Sequence, residues 1–378
     1  MSLKDKTAII GIADLKPTRL TEETSLELTA KAAKMAIEDA GLDKGEIDGL
    51  LTASGPETMW ASQVGEYMGL YPYYGDVVDM GGASACGMVW RAAAAINAGL
   101  CQTVLCVAAS GGREGGPRRA AVSIRSEFEN PYGPSGGANS GYALMAQRHM
   151  YEYGTTSEQL AKIAVDQRTN ACTNPDAMFY GQPITIADVL NSPLIADPLH
   201  MLDIVMPCNG GSAFIMTSAE RAKRAVQPPV WLLGAGEYRT HYSIVYAPNL
   251  TTTPAKGSAE MAFRMARVTP EQIDLVQPYD CYTIVVLATL EDAGFCKKGE
   301  GGKFVEETDL TYKGQLPCNT FGGQLSFGQT GEGMPHITEA CRQLMGRGGE
   351  RQVANPKLAF VNGNGGVMSE HCSLILGV

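Results

Sequence analysis

Apolar and polar positions fall into blocks that spell out strands and helices in turn. Residues 7–12 form a short apolar run, the pattern of a buried strand. Residues 25–40 carry apolar side chains at helical spacing and stop at Gly41, a residue suited to the left-handed end of a helix. Residues 47–53 read as a second strand, and Val77-Val78 closes a third. Small residues follow from Gly81 to Gly87, and the alanine-rich stretch 89–96 predicts a strong helix. Residues 103–109 make the next strand. From Gly111 to about Pro207 the periodicity loosens, with helices expected only near 143–153 and 157–170. A region that long and irregular reads as a cap or an inserted subdomain. Residues 212–217 return to strand, and 219–222 begin another helix.

The second part of the chain repeats the first. Met35-Ala36, Ala40 and Ile47-Asp48 recur as Met261-Ala262, Ala266 and Ile273-Asp274, each 226 residues later. Gly81-Gly82 is echoed by Gly322-Gly323, and the strand running into Ser110-Gly111-Gly112 by the one running into Asn364-Gly365-Gly366. This ordered series predicts a duplicated α/β unit. The expected division is residues 1–225, with a loop domain inserted at about 111–207, and residues 226–378. Loops of both halves would then converge on one site, as ligand sites favour such interfaces.

Composition narrows the function. A formal net charge of −10 leaves no broad basic surface for nucleic acid. Two basic clusters remain as candidates for a phosphorylated ligand: Arg113, Arg118, Arg119 and Arg125, and Arg221, Lys223 and Arg224. No apolar run reaches the roughly 18 residues of a membrane span, and the N-terminus lacks a signal-peptide pattern. Ten cysteines without CxxC spacing indicate neither a zinc site nor a disulfide framework, so a cytoplasmic setting is expected.

One cysteine has a chemical position. Cys86 sits where strand gives way to helix, and a helix N-terminus favours the thiolate form. The alternative is an inert core thiol, since free cysteine is often buried.

The duplicated order with a cysteine elbow resembles the thiolase superfamily, and within it the sterol-carrier-protein thiolase and lipid-transfer-protein branch. The motifs are Gly81 to Gly87, Gln277-Pro278-Tyr279-Asp280-Cys281-Tyr282-Thr283, Leu290 to Cys296, and Asn319-Thr320-Phe321-Gly322-Gly323-Gln324-Leu325-Ser326. The resemblance implies an α/β thiolase fold, with duplicated βαβαβαββ halves layered αβαβα around an inserted loop domain. It also implies an acyl-CoA C-acyltransferase that uses coenzyme A as substrate and has no tightly bound cofactor or metal. A homodimer core and a small zinc-ribbon/OB-fold partner subunit follow as expectations.

The departures from the family pattern matter as much. Where thiolases carry Gly-His-Pro this chain reads Gly328-Gln329-Thr330, and the second catalytic cysteine is missing at Val361-Asn362. The branch's His-Asp-Cys-Phe becomes Tyr279-Asp280-Cys281-Tyr282. The resemblance thus nominates Cys86 as nucleophile and Tyr279 and Gln329 as hydrogen-bonding groups for an enolate. Gly87, Asn362, Gly363, Gly365 and Gly366 are nominated as backbone oxyanion donors, Arg118 and Arg119 for coenzyme A. His336 and His371 remain alternative bases that the sequence does not separate. Thiolytic cleavage of a β-ketoacyl-CoA with a bulky or aromatic acyl group, or the reverse condensation, is the leading expectation. Retro-aldol cleavage of a β-hydroxyacyl-CoA and a non-catalytic acyl-CoA-binding subunit are the alternatives.

Overall fold

The computed structural model of the protein describes residues 2–112 and 137–378. The first half lays down β1 (Thr7–Asp14), α1 (Ser25–Asp39), β2 (Gly49–Ala53), α2 (Trp60–Met68), β3 (Tyr74–Val78), α3 (Ser84–Asn97) and β4 (Thr103–Ser110). Helices α4 (Ala138–Tyr153) and α5 (Ser157–Ala171) precede its last strand, β5 (Gly210–Ser218). The second half comprises β6 (Val230–Arg239), α6 (Ala255–Ala266), β7 (Leu275–Pro278), α7 (Thr283–Asp292), α8 (Gly323–Phe327), α9 (Met334–Leu344), β8 (Leu358–Gly365) and β9 (Glu370–Gly377).

The strands lie in the order β3-β2-β4-β5-β1-β6-β9-β8-β7. Read outward from the centre, 1-5-4-2-3 is mirrored by 6-9-8-7. The third strand of the second half is reduced, among the described residues, to one parallel bridge between Val276 and Cys318. The strands of the two halves pair at their seam through Ala8 with Trp231 and Ile9 with Val230. The result is two mixed sheets joined at a narrow seam.

Side-chain parity along the strands separates three apolar layers. Ile9, Phe214, Leu232 and Leu374 face a central core with Val89 of α3 and Ile337 of α9. Their neighbours Ile10 and Ile215 face α1 and α2. Phe360 and Ile375 face α6 and α7. This is the layered αβαβα arrangement with duplicated halves that the resemblance implied.

The 226-residue repeat has a packing cause. A Cβ on Gly11 would lie 2.6 Å from the Ala36 carbonyl oxygen, and one on Gly234 would lie 2.1 Å from the Ala262 oxygen. Each half needs a glycine in its first strand so that the outer helix can press on the sheet. The aspartates also repeat their work. Asp48 accepts from the backbone N–H of Gln102 and Thr103 at the start of β4, and Asp274 from Lys357 and Leu358 at the start of β8. The echo of Gly81-Gly82 falls elsewhere than expected. Gly322-Gly323 opens the short helix α8, whereas the turn against Gly81–Ala83 is Gly331–Gly333. A Cβ on Gly333 would stand 2.6 Å from the Gly82 oxygen.

Candidate active site

Cys86 lies in the first turn of α3, just behind the tight turn Gly81–Ala83. The Ser84 hydroxyl holds that turn, accepting from the Met80 N–H (3.0 Å) and donating to the Gly81 carbonyl (2.6 Å). Burial governs the thiol. Cys86 is 2% exposed, and desolvation pushes its pKa up to about 12, against the Gly363 N–H that donates to its sulfur. The thiolate expected from the helix N-terminus is therefore not the resting form. A helix end contributes about 0.3–1 kcal/mol, whereas burying an ion costs several kcal/mol. The position facing the sulfur is Gly363, where a Cβ would lie 3.3 Å from Sγ and 2.7 Å from Ala83 Cα. No side-chain base can stand there.

Tyr279 follows β7 and is anchored by its N–H, which donates to the Asn362 carbonyl at 2.8 Å. Its ring stacks on His336 with centroids 5.6 Å apart. It also fills the space that side chains on Gly82 or Gly333 would need. The Gln329 amide donates Nε2–H to the Tyr279 hydroxyl at 3.1 Å. Among the described residues no acceptor takes the phenol's own proton, so that proton is available to a bound molecule. Burial, then the neighbouring Cys281 and the Glu332 carboxylate, raise this phenol well above its ordinary range. This favours the neutral phenol.

The two histidines do not face Cys86. His371 shares its face of β9 with Ser373, which reaches Ser258 of α6 (2.8 Å), while Cys372 between them faces the Cys86 core. His371 is thus on the wrong side of the sheet for a base, a parity that sequence did not disclose. Its Nδ1 meets Asn362 Oδ1 at 2.9 Å, and burial drives its pKa down to about 3. His336 is enclosed between Asp280 (2.9 Å) and the Gly333 carbonyl (3.2 Å). Asp280 in turn accepts from the N–H groups of Gln324 and Leu325. His336 backs the Tyr279 ring.

The remaining expected residues divide. Gly363 supplies an N–H at Cys86, while the Asn362 amide donates to Ser373 (2.8 Å). The Gly365 carbonyl accepts from Ser369 and the Gly366 carbonyl from Tyr142. Gly87 lies deeper in α3, where its missing side chain makes room for Met80. Arg118 and Arg119 lie outside the described residues, as do Arg113 and Arg125. Arg221 is engaged by Thr103 and Arg224 by Glu220.

The structure adds groups that the sequence reading missed. Tyr142 donates to the Gly366 carbonyl (2.6 Å), accepts from Asn364 Nδ2 (2.8 Å) and stacks on Tyr282 at 4.2 Å. Tyr282 donates to Asn139 Oδ1 at 2.5 Å. Glu332 is held in left-handed backbone (φ 49°, ψ 41°) between Gly331 and Gly333, where its charge acts on Tyr279. A carboxylate between two glycines was its only signal in sequence. Among the described residues no cluster of side chains could hold a metal, and no helix is long and apolar enough to cross a membrane.

Comparison with known proteins bears on this site. Residues 236–378 match the family described as thiolase C-terminal domain-like. A steroid side-chain-cleaving aldolase of Thermomonospora curvata is 34% identical over 360 residues, 91% of each chain. An acetyl-CoA acetyltransferase of Methanothermobacter thermautotrophicus is 30% identical, covering 96% of this chain and 98% of that one. The solved Ltp2-ChsH2(DUF35) aldolase superposes with a TM-score of 0.92 at 33% identity, over 100% of this chain and 99% of that one. This chain therefore belongs to the thiolase superfamily, in its sterol-carrier-protein thiolase branch, and is an enzyme of the acyl-CoA acyltransferase type.

Proposed function

We propose that the site breaks the bond between the α and β carbons of an acyl-CoA by a retro-aldol route. The Tyr279–Gln329 pair carries this reading, because it offers a phenol proton, while among the described residues the Cys86 thiol meets the Gly363 N–H and no side-chain proton acceptor. The β-hydroxyl proton leaves oxygen as a carbonyl forms there, and the electron pair of the breaking bond becomes a thioester enolate. Tyr279 gives its proton to the α-carbon and regains one from the hydroxyl, so no net charge is created. Preorganised donors of this kind act where charge develops. The aldolase names of two relatives favour the same reading.

Thiolysis through an acyl-Cys86 intermediate is the second reading. The retained thiol at the start of α3 and the Gly363 N–H on its sulfur favour it. Coenzyme A would be its co-substrate. A non-catalytic acyl-CoA-binding role has no comparable support. Two associations belong with either reading: a homodimer through the sheet-edge strand β3, and a small zinc-ribbon/OB-fold subunit, as the name of the DUF35-containing relative suggests.

Cys86→Ala decides between the two routes. Retro-aldol cleavage predicts turnover within about threefold of wild type and no covalent acyl adduct by mass spectrometry. Abolished turnover, with an adduct on Cys86 in the wild type, would overturn it in favour of thiolysis.

A further inference from the structure

Arg168 of α5 is 5% exposed, yet no carboxylate pairs with it among the described residues. Arg351, also buried, is treated differently: it pairs with Glu339, as does the partly exposed Arg342. Arg168 spends Nε on the Ser326 hydroxyl (2.9 Å) and Nη1 on the Gln182 carbonyl (3.1 Å), and lies over the Phe179 ring at 4.0 Å. Nη2 has no hydrogen bond among the described residues. A cation held out of water by neutral groups alone is costly.

The guanidinium also borders a cavity of about 490 Å³. Phe179, Leu202, Ile204, Val205, Met206 and Leu325 give that cavity its apolar wall, while Arg19 and Asn139 join Arg168 as its polar groups. The wall is tied directly to the candidate active site. The Gln329 N–H donates to the Met206 carbonyl (3.0 Å), the Cys208 N–H to the Gln329 carbonyl (3.1 Å) and the Val205 N–H to the Cys281 carbonyl (3.1 Å). Asn139 accepts from Tyr282. The segment 204–208 thus stands between this cavity and the Tyr279–Gln329 pair.

We infer that Arg168 is the anion-binding residue of this apolar groove, and that the acyl-CoA bound here presents an oxyanion to it. The planar fork suits a carboxylate or a phosphate oxygen pair. The oxyanion is a carboxylate on the acyl group or the 3′-phosphate of the coenzyme A portion. The inference rests on the reading that acyl-CoAs bind at this site but not on which bond is broken.

Binding of uncleavable S-alkyl thioethers of coenzyme A, measured by calorimetry, tests it apart from catalysis. One pair of medium-chain thioethers ends in a carboxylate or in its methyl ester; a second pair is built on coenzyme A or on 3′-dephospho-coenzyme A. If the acyl carboxylate is the anion, wild type prefers the acid over the ester by about 10–100-fold, and Arg168→Gln erases the preference. If the coenzyme phosphate is the anion, acid and ester bind alike and the preference for the phosphorylated carrier is lost in Arg168→Gln. Wild type that shows neither preference overturns the inference, even where the variant does not fold. A folded Arg168→Gln that keeps both preferences overturns it equally. Thioethers that fail to bind at all would instead overturn the acyl-CoA reading of the site.

Discussion

Helices α3 and α9 occupy matching places in the central layer, and each begins behind a tight turn, Gly81–Ala83 or Gly331–Gly333. Their interiors are opposites. The start of α3 buries Ser84, Ala85, Cys86 and Met88, with no charge among them. The middle of α9 buries Glu339, which accepts from Arg351 through Nε and Nη2, from Arg342, from Gln343 and from Thr320 at 2.8–2.9 Å. Burial opposes that ionisation, but Arg351 and Arg342 hold the carboxyl down at about 2. Arg342 also reaches Asp14 of β1 at 2.6 Å, so α9 clamps one half of the molecule to the other. A buried carboxylate is kept ionised by such complete pairing. Glu339 of α9 is satisfied by four side chains, whereas the Cys86 thiol and the Tyr279 phenol each hold a proton that no side chain accepts among the described residues.

The largest test of this contrast is Arg351→Met. Breaking one partner of the buried cluster is expected to cost about 3–5 kcal/mol in unfolding free energy, read by chemical denaturation. A loss under about 1 kcal/mol would mean that α9 is held by apolar contacts alone, and the contrast with α3 would dissolve.

Tyr279→Phe probes the uncommitted side. Activity should fall about 100–1000-fold in kcat, equivalent to ~3–4 kcal/mol, with KM little changed. Unfolding free energy should move far less, because the ring contacts with His336, Gly82 and Gly333 remain. Matching losses of stability and rate would identify a packing residue instead.

A smaller effect distinguishes neutral burial from paired burial. His371 has a folded-state pKa near 3, below the 6.5 of an unconstrained imidazole, because burial disfavours its cation and His241 adds to the effect. The unfolded chain therefore takes up a proton that the folded one refuses. Stability is complete above pH 6.5 and is lost as pH falls from there towards 3. Linkage sets the loss at about 2 kcal/mol by pH 5. The decline between pH 7 and 5 should be weaker by that amount in His371→Asn, measured by denaturation at each pH. An unchanged slope would refute the assignment.

The order of strands and helices was legible because it rests on local periodicity and on residues repeated at one offset. Ala36 and Ala262 press on glycines, and Asp48 and Asp274 cap strand starts, so the duplication left marks in both copies. The chemically suggestive positions Cys86, Tyr279 and Gln329 were also legible, through motifs and their departures from a family pattern. What sequence left open turned on parity and partnership. His371 and Cys372 are neighbours in the chain, yet the pleat sends one to α6 and the other towards Cys86. Gly331–Gly333 rather than Gly322-Gly323 meets the first-half turn, because α8 intervenes.

The sequence by itself determined the thiolase-like duplication, the cysteine elbow and the replacement of an imidazole by Gln329. Each is a matter of residue type at a stated position. Only the tertiary structure decided that the Cys86 thiol stays protonated, that Glu339 is held as an anion and that Arg168 meets no carboxylate among the described residues. Those outcomes depend on how much water each group loses and on which distant side chains reach it. Gln329 with Tyr279, Arg351 with Glu339 and Arg168 with Ser326 are each brought together from separate stretches of chain, and their energies exist only once those stretches have folded against one another.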